Sequence, residues 1–350
     1  MHKFYLFILF YFVFLVDIVA QYNSVLSSGD WYQVSTSQDG IYKLDFNDFN
    51  ELGIDLANLS VENIKIYGNG AGMLPHLNSE FRYDDLQENA IDIFDANSNG
   101  IFEEQDYILF FGESPDIWRY NSSTNLFDHE THLFSDEVYY YINISEQGIG
   151  KRVLEKELLL NYDQEINSFR DYSFHEEELY NLIKSGRKWF GEQFNFDNQQ
   201  EFIFSFPNID SNSPVFIETS VAARSLTNSI FNLKLNNIFL SSINIPAVLS
   251  SPSSEYAKSA SLTNNITLNT SEINLSIEYL SSDAGANSWL DYIEINADRF
   301  LKMHNNAMRF RQVDNISQQV GRFEIQDASN SRVWDITDVT NVKELSLSVS

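Results

Sequence analysis

The chain is 350 residues long, 43% hydrophobic, and carries a formal charge of −28 with no cysteine. So acidic a chain repels phosphate backbones, which excludes nucleic acid as a partner and leaves solvated faces, cationic partners or calcium. Without cysteine there are no disulfides, no thiolate metal sites and no thiol catalysis within these residues, while the apolar content is enough for packed cores in two domains.

Residues 1–20 read as a signal peptide. Lys3 precedes an apolar run over 4–16, and Ile18 and Ala20 fall at the −3 and −1 positions of a cleavage site before Gln21. The run is shorter than the ~20 residues of a membrane-spanning helix, so an uncleaved anchor is the weaker reading. The mature chain is expected outside the cytoplasm, soluble or held peripherally.

An N-terminal β-rich domain is expected over 21–152. Alternation over 31–36 and 41–44 flanks Asp39-Gly40 and predicts a hairpin. A short helix is expected at 47–52, capped by Asn47 and ended by Gly53. Further strands are expected at 64–67, 90–94, 107–111 and 138–144. The pattern then turns charged and irregular over 153–186, read as a connector with a short helix at 175–184. Over 187–340 strands return at 201–206, 215–222, 230–235, 273–279, 289–295, 308–311, 322–325 and 333–336, separated by Asn, Ser and Pro turns. Many short strands at this spacing predict a jelly-roll-like β-sandwich, so the chain as a whole is mainly β. The last stretch, 341–350, alternates like a strand and reads as the cut-off start of a following region.

One motif is sharp. The run from Asp95 to Asp106, DANSNGIFEEQD, matches a twelve-residue calcium loop. Asp95, Asn97 and Asn99 bring oxygens at positions 1, 3 and 5, and Gly100 stands where the loop turns sharply. Ile101 offers its carbonyl, Glu103 a carboxylate or a water, and Asp106 closes the loop in place of the usual glutamate. Phe102 is the apolar anchor. The flanks read as strands, so this is a calcium loop without EF-hand helices. A polar Asn/Gly hairpin loop is the alternative.

Other constellations are weaker. Gly68-Asn69-Gly70-Ala71-Gly72 follows a strand but lacks the Lys-Ser/Thr ending of a phosphate loop, and reads as a tight turn needing positive φ. His129 and His132 lie three apart beside Asp128 and Glu130, without the third spaced ligand a transition-metal site needs. Asp84-Asp85 reads as a solvated loop. Trp189, Trp289 and Trp334 sit in strand patterns and are expected to be buried. No hydrolase motif is present, so no catalytic residue is assigned.

Several stretches together carry a resemblance: GDWYQVSTSQDGIYKLDFNDFNELGI, IKIYGNGAGMLPHLN, DANSNGIFEEQDYILFFGESPDIW, SGRKWFGEQF, SWLDYIEINADRFL and RVWDITDVTN. In order and spacing they resemble the N-terminal, non-catalytic region of the PorU family, the type IX secretion sortases of the Bacteroidetes. The resemblance implies a gingipain-like cysteine peptidase that removes C-terminal sorting domains from exported cargo and joins the cargo to lipopolysaccharide. It implies a peripheral place at the cell surface or outer membrane, with outer-membrane components of the type IX system as partners. Cargo would be met only through a peptidase domain absent from these residues, so the chain by itself is expected to be inactive. The alternative is a stand-alone surface module that binds glycan or lipopolysaccharide through exposed aromatics.

Overall fold

The computed structural model describes residues 24–348 except 147, 160, 185, 187, 252 and 314–319. The expected signal peptide at 1–20 lies outside the described residues.

Strands dominate. The N-terminal part holds β1 (Trp31–Thr36), β2 (Gly40–Asp45), helix α1 (Phe46–Glu51), β3 (Lys65–Tyr67), β4 (Glu88–Asn89), β5 (Ile91–Phe94), β6 (Tyr107–Gly112), β7 (Ile117–Asn121), β8 (Leu126–Glu130) and β9 (Val138–Asn143). They form a four-stranded sheet in the order β1-β9-β3-β4, a three-stranded sheet β2-β6-β5, and the hairpin β7-β8. The hairpin expected across 31–44 is not formed. β1 pairs with β9 and β2 with β6, so the chain turns a corner at Gly40 and enters a second sheet. The two sheets close on one core around Phe49, Ile64, Ile66, Ile91, Phe102, Ile108, Phe110, Tyr140 and Ile142. Helix α1 starts one residue early because Asp45, not Asn47, is its cap. The Asp45 carboxylate accepts from the backbone N–H of Asn47 and Asp48, while Asp48 returns the bond to Asp45 N–H.

The chain continues through β10 (Leu154–Lys156), β11 (Gln164–Ile166), β12 (Ser168–His175), β13 (Gln199–Ser205), β14 (Val215–Arg224), β15 (Ser229–Leu235), β16 (Ile238–Ile245), β17 (Lys258–Ile266), β18 (Glu272–Ser281) and β19 (Asn287–Phe300). Eight of these, β12 to β19, form two antiparallel sheets in the orders β12-β19-β14-β17 and β13-β18-β15-β16. That is the strand order of a jelly roll. Inward residues from both sheets, among them Phe202, Phe204, Phe231, Leu233, Leu275, Ile277, Leu290, Ile293 and Ile295, make the second core. At about 25 cal/mol per Å² of apolar surface removed from water, such a core dominates the stability of the sandwich.

Three sequence expectations are corrected here. The sandwich begins at β12, inside the stretch read as connector. The helix expected at 175–184 is absent: 168–175 is a strand, and beyond it Tyr180 and Phe190 exchange backbone hydrogen bonds instead. The strand expected at 308–311 is irregular backbone. After it come β20 (Gly321–Phe323), β21 (Val333–Asp335) and β22 (Lys343–Leu345). β22 lies in the middle of a sheet ordered β10-β22-β21, and Ala90 N–H donates to the Thr340 carbonyl, so this segment returns to the N-terminal part.

Candidate functional site

In the Asp95–Asp106 loop the backbone turns with Ser98 at φ 56° and Gly100 at φ 78°. Gly100 is therefore required by conformation, since a Cβ there would be strained even though nothing crowds it. Asp95 accepts from the N–H of Asn99 at 3.3 Å and of Gly100 at 2.8 Å. The side-chain amides of Asn97 and Asn99 both donate to one oxygen of Glu103, at 2.6 and 3.1 Å. Asp95, Asn97, Asn99 and Glu103 thus share one small exposed space. Asp106 does something different. It is buried, and its two oxygens accept from Ala96 N–H at 2.8 Å and Glu103 N–H at 2.7 Å, tying the two ends of the loop together. Phe102 is buried against Phe49, with ring centroids 4.7 Å apart. Among the described residues no group of three or more His, Cys, Asp or Glu side chains is arranged to hold a metal. The loop's oxygen donors suit a hard cation only with its two asparagines and a backbone carbonyl included.

The second constellation was not legible as a site in the sequence. The β7-β8 hairpin, which leaves the N-terminal part, lies across the outer face of the jelly-roll sheet. Its turn is held by Arg170, whose guanidinium donates to the Asn125 carbonyl at 2.6 Å and grips Asp298 with two bonds of 2.8 and 3.0 Å. Two residues on, Phe127 N–H donates to the Asn296 side-chain oxygen at 2.8 Å, and the Asn296 amide donates back to the Phe127 carbonyl at 2.9 Å. Two residues further, Glu294 accepts from His129 N–H at 2.8 Å and faces His129 Nδ1 at 2.6 Å. The other ring nitrogen, Nε2, lies 2.8 Å from Glu176, which also accepts from Thr131 Oγ1 at 2.6 Å.

Aromatic packing covers the same seam. Trp118 stacks on Tyr172 at 3.9 Å, and the Arg311 guanidinium stacks on the opposite side of the same ring at 3.9 Å. Arg311 also donates to the Arg170 carbonyl. Its neighbour Arg309 pairs with Asp39 at the corner between β1 and β2. The irregular segment around 308–313 is therefore a strap across the joint, which is why it has no strand partner. Burial opposes charge on the His129 ring, but the hydrogen bonds to Glu176 and Glu294 outweigh it and raise its pKa to about 9. Glu176 is pushed up by burial, yet its bonds to His129 and Thr131 bring it below the usual carboxylate range. Nearby Glu178 is raised to about 7, first by burial, then by the Glu176 and Asp291 carboxylates.

The structure separates His129 from His132. His132 Nδ1 accepts from the N–H of Ser135 at 2.9 Å and caps a turn, so the two rings serve different elements. Asp85 accepts from Ser24 and from Val25 N–H, a loop tie rather than an acid/base pair. Of the three tryptophans expected inside, Trp289 is buried, Trp334 half-buried, and Trp189 is 39% exposed. Trp189 sits in the loop that Phe190 closes against Tyr180, where neighbouring Lys188 reaches the buried Asp291 at 2.9 Å. Gly70 and Gly72 have positive φ, as expected of a turn.

No known family description matches the chain, and no curated protein does. Among solved structures the chain is similar to dimeric latent PorU from Porphyromonas gingivalis, with a TM-score of 0.77 and 21% identity over 93% of this chain. The chain spans 30% of the length of that protein. It thus shares the fold of a PorU segment. Two carbohydrate-binding modules overlap about a third of the chain. One is CBM36 in complex with calcium and xylotriose (TM-score 0.24, 18% identity, 35% of this chain and 98% of that one). The other is a family 35 module from Clostridium thermocellum (TM-score 0.23, 14% identity, 36% and 90%). Scores this low carry no argument.

Proposed function

We propose that this chain is the non-catalytic scaffold region of a type IX secretion sortase, exported to the cell surface. Its two β parts would hold a peptidase domain in a set orientation toward outer-membrane components of the secretion system. The observation that carries this reading is the fold shared with a PorU segment over 93% of this chain. Two further facts support it. A chain without cysteine cannot supply a thiol nucleophile. A joint with buried, charge-assisted hydrogen bonds suits a rigid spacer better than a flexible linker. No helix among the described residues is long and apolar enough to cross a membrane.

Within this reading the Asp95–Asp106 loop is a calcium site that stiffens the N-terminal part. Asp95, Asn97, Asn99, the Ile101 carbonyl and Glu103 would face the ion, and Asp106 would hold the loop shut. Lipopolysaccharide is a candidate ligand of the whole sortase, with Trp189 among the exposed aromatics that could stack on a sugar.

The test is direct. The purified mature chain is mixed with sorting-domain peptides and, separately, with detergent-solubilised outer membranes of a type IX-secreting bacterium. The scaffold reading expects no cleavage and specific co-purification with secretion-system components. Peptide turnover by the chain alone, or retention on lipopolysaccharide with no protein partner, would replace it.

A further inference from the structure

The hairpin that bridges the two parts belongs to neither hydrophobic core: no residue of β7 or β8 joins the jelly-roll cluster or the N-terminal cluster. Its seat is made of side-chain hydrogen bonds and stacked rings on the outer face of the sandwich. It can therefore lift without opening either core, and its polar fasteners decide whether it stays down.

At the centre of that seat is an imidazole with a carboxylate on each side. His129 Nδ1 lies 2.6 Å from Glu294 Oε2, and Nε2 lies 2.8 Å from Glu176 Oε2. A neutral imidazole has one N–H and can satisfy only one of them. Each of these oxygens also accepts a second donor, His129 N–H on Glu294 and Thr131 Oγ1 on Glu176. We propose that the β7-β8 hairpin is a proton-latched arm, seated on the jelly roll only while the His129 ring carries both its protons between Glu176 and Glu294.

Among the described residues the ion pairs of Glu176 and Glu294 are to His129 alone, and Lys188 acts on Glu176 only from a distance. From β12 the Phe174 ring stacks on the imidazole at 4.4 Å. From β19 Tyr292 meets it edge-on at 5.0 Å, with its hydroxyl directed to Glu218 of β14 at 2.9 Å. Trp118 covers it from β7 at 5.7 Å. Beyond Glu176 the charges are acidic Glu178 and Asp291, and Lys188 is engaged with Asp291. On β8 itself Glu130 pairs with Arg119, and Asp128 accepts from Asn121, both on the solvent side. Losing one proton from the ring leaves two buried carboxylates facing each other across a neutral imidazole. An uncompensated charge of that kind strongly favours opening to water.

The pH direction follows from the raised proton affinity of the seated ring. A ring with an ordinary value near 6.5 when lifted and about 9 when seated gives its full stabilisation below pH ~6.5. The stabilisation fades as pH rises and is gone above about 9. Over that window one proton is coupled to opening, so the lifted fraction grows about tenfold per pH unit. The remaining fasteners, the Arg170 guanidinium on the Asn125 carbonyl, the Asn296 pair and the Trp118–Tyr172 stack, do not depend on the His129 proton and hold the arm too weakly without it.

The experiment uses the mature chain with 5-fluorotryptophan, following Trp118 by fluorine NMR and the His129 ring by nitrogen NMR from pH 6 to 10. Far-UV circular dichroism is recorded alongside. The expected result is a His129 titration near 9 and a lifted Trp118 signal that rises with it while both cores stay folded. In the Glu176→Gln/Glu294→Gln double variant the ring should titrate nearer 6.5 and the steep rise should vanish. A Trp118 signal that stays in its stacked environment while His129 loses its proton would overturn the proposal. So would a His129 titration near 6.5 in the unmodified chain, or loss of the hairpin only together with global unfolding. The unmodified chain decides the matter even if the double variant does not fold.

Discussion

Asn296 of the jelly roll and Phe127 of the hairpin stand 169 residues apart in sequence and exchange two hydrogen bonds, 2.8 Å one way and 2.9 Å the other. A single amide side chain here does the work of a strand neighbour, satisfying both backbone groups of a buried residue. It is the point at which the two β parts are held in register.

Asn296→Ala should therefore cost more than an ordinary surface change. It leaves a donor and an acceptor of Phe127 buried without partners, each worth about 1–3 kcal/mol. A loss of about 2–6 kcal/mol in urea unfolding is expected if the hairpin stays in place, and a smaller loss with freshly exposed Trp118 if it lifts. A stable variant with Trp118 still stacked would contradict this role.

Gly112 and Gly68 are places where chain and core touch too closely for a side chain. A Cβ at Gly112 would stand 2.6 Å from Thr36 Cγ2, and one at Gly68 would stand 2.6 Å from the Tyr140 ring. Overpacking of this kind costs about 1–3 kcal/mol. Gly112→Ala and Gly68→Ala should each lower the midpoint of thermal unfolding, whereas Gly53→Ala, with open space around it, should act only through its positive φ.

The calcium reading of the Asp95–Asp106 loop makes a simple thermodynamic demand. Calcium at a hundredfold excess over its dissociation constant should add about 2.7 kcal/mol to stability, and a chelator should remove that gain. Asp95→Ala should abolish the calcium effect and also cost the calcium-free protein about 1 kcal/mol, through the lost bonds from Asn99 and Gly100 N–H. An identical melting curve with and without calcium would leave the loop as a self-bonded polar turn.

Phe102 separates the loop's packing from its ligands. It is 1% exposed and packed against Phe49 and Phe46. Phe102→Ala should cost about 3–5 kcal/mol whether or not calcium is present.

How far the sequence could be read follows from what each segment's neighbours are. The inner strands of the jelly roll were visible because their own residues alternate toward one core: Val215–Arg224 and Asn287–Phe300 carry Val, Ile and Leu at core positions. β17, KSASLTNNI, was missed because its solvent-facing half is Ser, Thr and Asn and its inward half is short of large apolar groups. The false helix at 175–184 came from a charged, Leu-bearing stretch whose real partners, Glu192 for His175 and Phe190 for Tyr180, lie further along the chain. The hairpin forecast at Asp39-Gly40 failed for a related reason: a turn signal fixes a reversal, not which strand becomes the neighbour. The sharp turn within Asp95–Asp106 was legible because its spacing is local. The joint was not, because Phe127, His129, Glu176 and Glu294 become neighbours only when the two parts dock. The one hint was Glu294, Asn296 and Asp298 alternating along a central strand, a polar face that needs a cover.

The central claim is that the two β parts form one body held by this joint. The chain lacks cysteine, so two can be introduced without interference, and Ala57→Cys in the N-terminal part with Ser205→Cys in the jelly roll are both exposed. Electron–electron double resonance between spin labels at these positions, at pH 6.5, should give a single narrow distance distribution that broadens in Asn296→Ala. A broad distribution in the unmodified chain at that pH would show two parts on a loose tether and contradict the account.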